Sequence, residues 1–280
     1  MGEFKLKQGV EVKYDSENKV YSFPKSDLKS HKKLTSRAFA CIIGKNKWES
    51  VGKSILERFR LNKKDIIDPY YGVRGDLAEL MVYDFLKAHY KKTKEVDLGL
   101  VTWDKNDISY DNFSTNKQFG GMIDIAIKTP SEYRAVVEVK SKSMKDLDKI
   151  KESKGNPEEV MQGIFLSYLS KVDKCLMIYV FFTEEQEQNI KRILRLEKDK
   201  SKSREIAQKV ISELRYNYEY FKIVPIRHKV STYAMPKLTE EAYAKLESVR
   251  ENSCISEEFF SINENQYLKK IATGQEPTPF

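Results

Sequence analysis

Residues 133–143 read YRAVVEVKSKS, a run of β-branched and apolar residues with a glutamate, Glu138, and a lysine, Lys140, set two positions apart within it. Side chains along a strand alternate between faces, so Ala135, Val137 and Val139 share one face and Val136, Glu138 and Lys140 share the other. The preceding run, 122-MIDIAIK-128, repeats the pattern, with Ile123, Ile125 and Ile127 on one face and Asp124, Ala126 and Lys128 on the other. A turn containing Pro130 joins the two runs, and together they read as a β-hairpin. If that hairpin closes with Ile127 opposite Ala135, Asp124 lies directly across from Glu138, with Cβ atoms about 5 Å apart. Two carboxylates at that spacing repel. Under a helix they are also desolvated, which costs several kcal/mol unless positive charge lies between them. A divalent cation meets that need, and all-oxygen ligands favour Mg²⁺, with Mn²⁺ as a substitute. Lys140 lies on the same face, roughly 7 Å along the strand, within reach of a metal-bound water. A cation with open positions beside an amine is what phosphodiester hydrolysis requires.

The flanking segments supply a scaffold for the hairpin. Upstream, 70-YYGVRGDLAELMVYDFLKAHY-90 carries Leu77, Leu80, Met81 and Phe85 at helical spacing, and Gly75 and Asp76 mark a helix start, predicting a helix from about Arg74 to His89. Downstream, 155-GNPEEVMQGIFLSYLSK-171 offers Asn156 as a cap, Pro157 at the first helical position and two glutamates in the first turn, all helix-start signals. The continuous apolar run 174-KCLMIYVFF-182 reads as a strand buried on both faces. The order is therefore helix, strand, strand, helix, strand. Before this unit, 9-GVEVKYDSENKVYSF-23 reads as a hairpin, and residues 34–59 as helical segments broken near Gly44. After it come one or two charged helices over 184–221, a further strand at 221-FKIVPIR-227 and a loosely ordered end at GQEPTPF.

The whole chain sets the limits of this reading. Its 280 residues, 40% hydrophobic and 11% aromatic, suffice for a packed core, and a formal net charge of +8 (50 Lys and Arg against 42 Asp and Glu) is compatible with a polyanionic partner. No apolar run is long enough to span a bilayer and the charged N-terminus lacks a signal peptide's apolar stretch, so a cytoplasmic protein is expected. Cys41, Cys175 and Cys254, like His31, His89 and His228, are too scattered for a disulfide framework or a zinc site. No glycine-rich phosphate loop follows any expected strand, which sets aside kinases and dehydrogenases.

The motif "MID", then "VEVK" after a hairpin, with a glutamate on an upstream helix and a glutamine on a downstream one, resembles the PD-(D/E)xK nuclease superfamily, in particular its RecB-type and lambda exonuclease-like (YqaJ) branch. The resemblance covers about 72–182. It implies a restriction-endonuclease-like α/β core, a mixed β-sheet flanked by helices, with N- and C-terminal additions. The expected organisation is an accessory lobe at 1–60, the nuclease core at 61–230 and an extension at 231–280. Carried over residue by residue, Asp124 takes the place of the first motif acid, and Glu138 and Lys140 that of E-x-K. Glu79 in "RGDLAE" corresponds to the helix glutamate. Gln162 corresponds to the start of the branch's Q-x-x-x-Y motif, although the following Tyr168 stands two places late and Ile123 replaces the usual proline before Asp124. The resemblance implies metal ligation by Glu79, Asp124, Glu138 and the Val139 carbonyl, and catalytic roles for Lys140 and Gln162.

The expected activity is Mg²⁺-dependent hydrolysis of DNA, most simply by an end-processing exonuclease of phage recombination type, which on the family pattern forms homo-oligomers and works beside a single-strand annealing protein. A restriction- or defence-type endonuclease on the same core is the alternative within enzymes. An inactive nucleic-acid-binding module is the alternative outside them, disfavoured because every charged member of the motif is present. Among the remaining candidates, Asp104, Asp107 and Asp111 read first as turn formers, Arg74 as a solvated side chain or phosphate clamp, and Lys142 as a contact on a backbone-binding path. Trp48 and Trp103 read as core or lid residues, and the three histidines as structural.

Overall fold

Alternation in the central runs and 3.6-residue periodicity around them dictate a sheet covered by helices. The computed structural model describes residues 4–63, 68–89, 99–103 and 111–275. The chain divides into two compact units: Met1–Ile66 with Thr115–Gly120 and Tyr233–Phe280, and Ile67–Ser114 with Gly121–Thr232.

In the first unit, β1 (Lys13–Asp15) and β2 (Val20–Ser22) form the hairpin expected over 9–23. Asp15 Oδ1 fixes its turn by accepting the N–H groups of Glu17 and Asn18. Helices α1 (Ser36–Ile42) and α2 (Val51–Arg58) follow, interrupted at Gly44, whose φ of +75° lies in the region glycine adopts without a Cβ penalty.

The second unit starts with α3 (Pro69–His89), then β3 (Gly99–Val101), β4 (Ile125–Lys128), β5 (Tyr133–Ser143), α4 (Leu147–Glu152), α5 (Pro157–Leu169), β6 (Lys174–Phe182), α6 (Glu184–Leu196), α7 (Ser203–Leu214) and β7 (Lys222–Lys229). The chain then returns to the first unit with α8 (Ala234–Asn252), β8 (Cys254–Ser256) and α9 (Ile262–Ala272). Strand β8 pairs with β2, and the Tyr21 hydroxyl donates to Asn265 Oδ1 at 2.8 Å. The N-terminal lobe and the C-terminal extension, read separately in the sequence, thus share one three-stranded sheet, β1-β2-β8. Residues 276–280, most of the stretch expected to be loose, lie outside the described residues.

The second unit is a mixed α/β structure built on a five-stranded sheet, β3-β4-β5-β6-β7, flanked by helices. Among the described strands of this sheet only the β5–β6 pair is parallel. Its connection runs through α4 and α5, as a parallel crossover needs. Strand β7 lies at the sheet edge, where Pro225 removes no ladder bond that a further neighbour would need. Alternation sorts the core into two layers. Val137, Val139, Ile178 and Val180 pack with α3, α6 and α7, while Ala126 and Val136 pack with Leu166 of α5. Among the described residues no helix is long and apolar enough to cross a membrane.

Boundaries differ from the sequence reading at β4, which begins at Ile125 inside the run 122–128, and at α3. Helix α3 begins at Pro69, five residues before Arg74, because Asp68 Oδ1 caps it by accepting the Tyr70 N–H at 2.9 Å and proline suits the first helical position. Gly75 and Asp76 therefore lie inside the helix and do not begin it.

Candidate active site

The hairpin register is the one that alternation requires: Ile127 pairs with Ala135, Ala126 with Val136 and Ile125 with Val137. The paired register ends at Ile125–Val137, and Asp124 is the residue just before β4. The ladder has ended there, and the Asp124 side chain continues it, with Oδ2 accepting the Val139 N–H at 2.8 Å. That bond fixes the carboxylate beside the β5 charges and satisfies a strand donor that β4 no longer reaches.

Glu138, 5% exposed, lies on the face covered by α5. Lys140 follows on the same face, and its Nζ donates to Glu138 Oε1 at 2.7 Å and to Gln162 Oε1 at 3.2 Å. The Gln162 amide in turn donates to Glu158 Oε1 at 3.2 Å. One strand position pair further on, Lys142 Nζ meets Glu159 Oε1 at 2.6 Å. The result is a continuous polar seam between β5 and the first turns of α5. Burial by itself would lower the Lys140 pKa, but the charges of Glu138 and Asp124 and the hydrogen bond to Glu138 together raise it above the ordinary lysine value. Lys140 is therefore an ammonium at neutral pH.

Two features place α5 against this seam. Asn156 Oδ1 caps the helix by accepting the Glu158 N–H, while its own N–H donates to the Tyr179 hydroxyl of β6 at 3.1 Å. Gly163 then allows close approach, since a Cβ there would lie 2.6 Å from Cys175 Sγ, 2.7 Å from Met177 Sδ and 3.2 Å from Glu138 Cβ. Burial pushes the Cys175 thiol up to about 12, so it is a neutral packing group under the helix.

No family model matches the sequence, and no curated protein matches it. Solved structures do. The chain is similar to an alkaline exonuclease from Laribacter hongkongensis, with 14% identity and a TM-score of 0.43 over 86% of this chain and 94% of that one. It is similar also to a phage-related exonuclease from Haemophilus somnus 129PT, with 12% identity and a TM-score of 0.47 over 81% of this chain and 97% of that one. The Laribacter enzyme in complex with dAMP matches at 15% identity and a TM-score of 0.42.

The structure thus brings Asp124, Glu138, Val139, Lys140 and Gln162 together. Glu79 has a different partner. It is 9% exposed on α3, the helix that packs on the Val137 and Val139 face, and it accepts from Arg204 Nη1 of α7 at 3.1 Å. Among the described residues no three His, Cys, Asp or Glu side chains form a group that could hold a metal, so Glu79, Asp124 and Glu138 do not form the three-carboxylate set expected from the sequence. A buried carboxylate takes the nearest cation, and on α3 that cation is a guanidinium. Sequence spacing could not show that α7 returns to α3.

The other candidates resolve individually. Arg74 is held by Ser141 Oγ at 3.2 Å and by Glu187, with its guanidinium over the rings of Tyr70 and Tyr71. Asp111 is a loop former, accepting the N–H groups of Phe113 and Gly121, while Asp104 and Asp107 lie outside the described residues. Tyr168 is half-buried further along α5. Trp103 packs on the cluster of Ile123, Ala126 and Val136, but Trp48 is exposed. Glu158, Glu159 and Gly163 are site elements that sequence reading missed. The glutamates carried a sufficient explanation as helix-start acids, and Gly163, inside a helix where glycine is unfavourable, was the available signal.

Proposed function

We propose that the second unit is a metal-dependent nuclease that hydrolyses DNA phosphodiester bonds, acting as an end-processing exonuclease of phage recombination or repair type. The observation that carries this reading is the juxtaposition of Asp124, hydrogen-bonded to the Val139 N–H, with the Glu138–Lys140 pair on β5. The donor set suits a hard cation. It is all oxygen, and Mg²⁺ is commonly bound by one or two carboxylates while keeping several waters, so Asp124, Glu138 and the Val139 carbonyl form a sufficient set. A bound Mg²⁺, or Mn²⁺ in its place, would supply Lewis-acid polarisation and a lowered pKa for the attacking water.

The chain's own residues do the rest. Asp124 is anchored at the end of β4 by the Val139 N–H that its carboxylate accepts. Lys140, held by Glu138 and Gln162, positions or deprotonates the attacking water. Gln162 aims the ammonium through its carbonyl, and Glu158 fixes the Gln162 amide. The partners on this reading are DNA ends, further copies of the chain and a single-strand annealing protein.

The test is incubation of linear duplex, closed circular and single-stranded DNA with Mg²⁺, Mn²⁺ or chelator. Linear DNA should be degraded with metal and spared with chelator, and closed circles should stay intact. Glu138→Ala and Lys140→Ala should each lose about 100-fold or more of the rate. If no DNA is cut, or both variants match the wild type, the reading fails. Cutting of closed circles would show endonuclease action instead.

A further inference from the structure

Near the end of β5, on the sheet face opposite the polar seam, a group of aromatic and basic side chains gathers where α3 and α6 begin. Its centre is Arg74. The guanidinium donates to Ser141 Oγ at 3.2 Å and to the Ser141 carbonyl at 3.4 Å, and lies 3.3 Å from Glu187 Oε1 of α6. It also lies over two rings, 5.3 Å from the centroid of Tyr70 and 5.4 Å from that of Tyr71. Tyr70 is buried in the core of this unit, but Tyr71 turns outward and is 56% exposed. Its ring is nevertheless held, edge-on to Tyr70 with centroids 5.3 Å apart and against the guanidinium. Lys191, one turn along α6 from Glu187, places Nζ 4.9 Å from the centroid of Tyr70, and among the described residues this ammonium has no carboxylate partner.

Docking α3 on β5 and α6 accounts for Arg74, Ser141, Glu187 and Tyr70. It does not account for an outward tyrosine held in place, or for an unpaired lysine on the same Tyr70 ring. An exposed aromatic face beside a cation is the combination that binds single-stranded nucleic acid, whose bases offer π-faces and whose phosphates offer charge. A duplex keeps its base faces inside the stack, so a ring on the surface takes an unpaired base. We infer that this rim binds single-stranded DNA, one base stacking on Tyr71 and an adjacent phosphate meeting Lys191. Ser141 directly follows Lys140 on β5, with its side chain on the other face, so the site is separate from the polar seam. The ligand class rests on the DNA reading proposed above, to which the site adds a hold on an unpaired strand.

The experiment measures, by fluorescence anisotropy on the full chain in chelator, binding of a short labelled single-stranded DNA and of an abasic oligomer of the same length. Tyr71→Ala should weaken binding of the base-containing oligomer about tenfold, while Tyr71→Phe, which keeps the ring, should bind as wild type does. Against the abasic oligomer, Tyr71→Ala and wild type should bind alike. Lys191→Gln should weaken binding of both oligomers and lower the slope of log affinity against log salt by about 0.7. Because Tyr71 points away from the core, its variants should keep the wild-type thermal midpoint. Wild-type affinity in Tyr71→Ala for the base-containing oligomer, or a wild type that binds neither oligomer, would overturn the site whether or not linear DNA is degraded with Mg²⁺. An equal loss in Tyr71→Phe would assign the effect to the hydroxyl and overturn the stacking. Tyr71-dependent binding by a protein that cuts no DNA would support the site and overturn the nuclease reading alone.

Discussion

On the α5 face of the sheet, Glu138 is neutralised by Lys140, two residues along its own strand, whereas along the α3–α7 seam Glu79 is neutralised by Arg204, 125 residues away. Both carboxylates are buried, so both need a cation. The two solutions differ in kind. An ammonium is a compact point charge on a flexible stem, able to follow a water or a phosphate, while a guanidinium is a planar fork that can serve two carboxylates at once. A local pair forms wherever the strand forms. The remote pair exists only once α7 has docked on α3, so it also reports on tertiary packing.

The largest expected effect comes from breaking the local pair. Lys140→Met leaves Glu138 buried without its ammonium and should cost about 3 kcal/mol in denaturant unfolding, besides the loss of cleavage. The pH dependence sharpens the assignment. Because the folded-state pKa of Lys140 is raised, its contribution is fully present below the unfolded lysine value of about 10.4 and is lost as pH climbs through the higher folded value. The stability gap between wild type and Lys140→Met should therefore hold steady from neutral pH to about 10 and narrow beyond it. A gap that changes near neutrality would assign the effect to another group.

A smaller effect should follow from Gly163→Ala. Alanine normally favours a helix, but here its methyl meets Cys175, Met177 and Glu138, so the substitution should destabilise by about 2 kcal/mol and push Gln162 away from Lys140. A stabilised Gly163→Ala protein with full activity would show that α5 does not set the polar seam. The smallest is Ser203→Ala, which removes one hydrogen bond to Asp76 in the remote cluster and should cost about 1.5 kcal/mol by chemical denaturation, with little change in cleavage. Were Ser203→Ala to cost more than Lys140→Met, the remote cluster would be the more critical of the two.

Much of the second unit could be read from residues near one another in sequence. Alternation in 122–128 and 133–143 gave the hairpin and its register from Ile125–Val137 to Ile127–Ala135, but β4 begins only at Ile125, and Ile123, outside the strand, packs with Ala126 and Val136 instead of on the face of Ile125. Asn156 and Pro157 marked the start of α5, and the unbroken apolar run marked β6 as a strand buried on both faces. These features follow from side-chain period, capping and burial, which are local properties. The start of α3 was missed because Asp68 and Pro69 lay just outside the apolar periodicity that defined the helix.

What the sequence by itself determined is the alternating polar face of the hairpin and the helices that flank it, because strand alternation and helix capping act over a few residues. Tertiary structure alone decided that Glu79 would pair with Arg204, that Gly163 would bring α5 onto Cys175 and Met177, and that the chain's two terminal segments would share a sheet. Each depends on which distant segments come into contact, and burial then makes the partner of every charge a matter of three-dimensional proximity, which spacing along the chain does not encode.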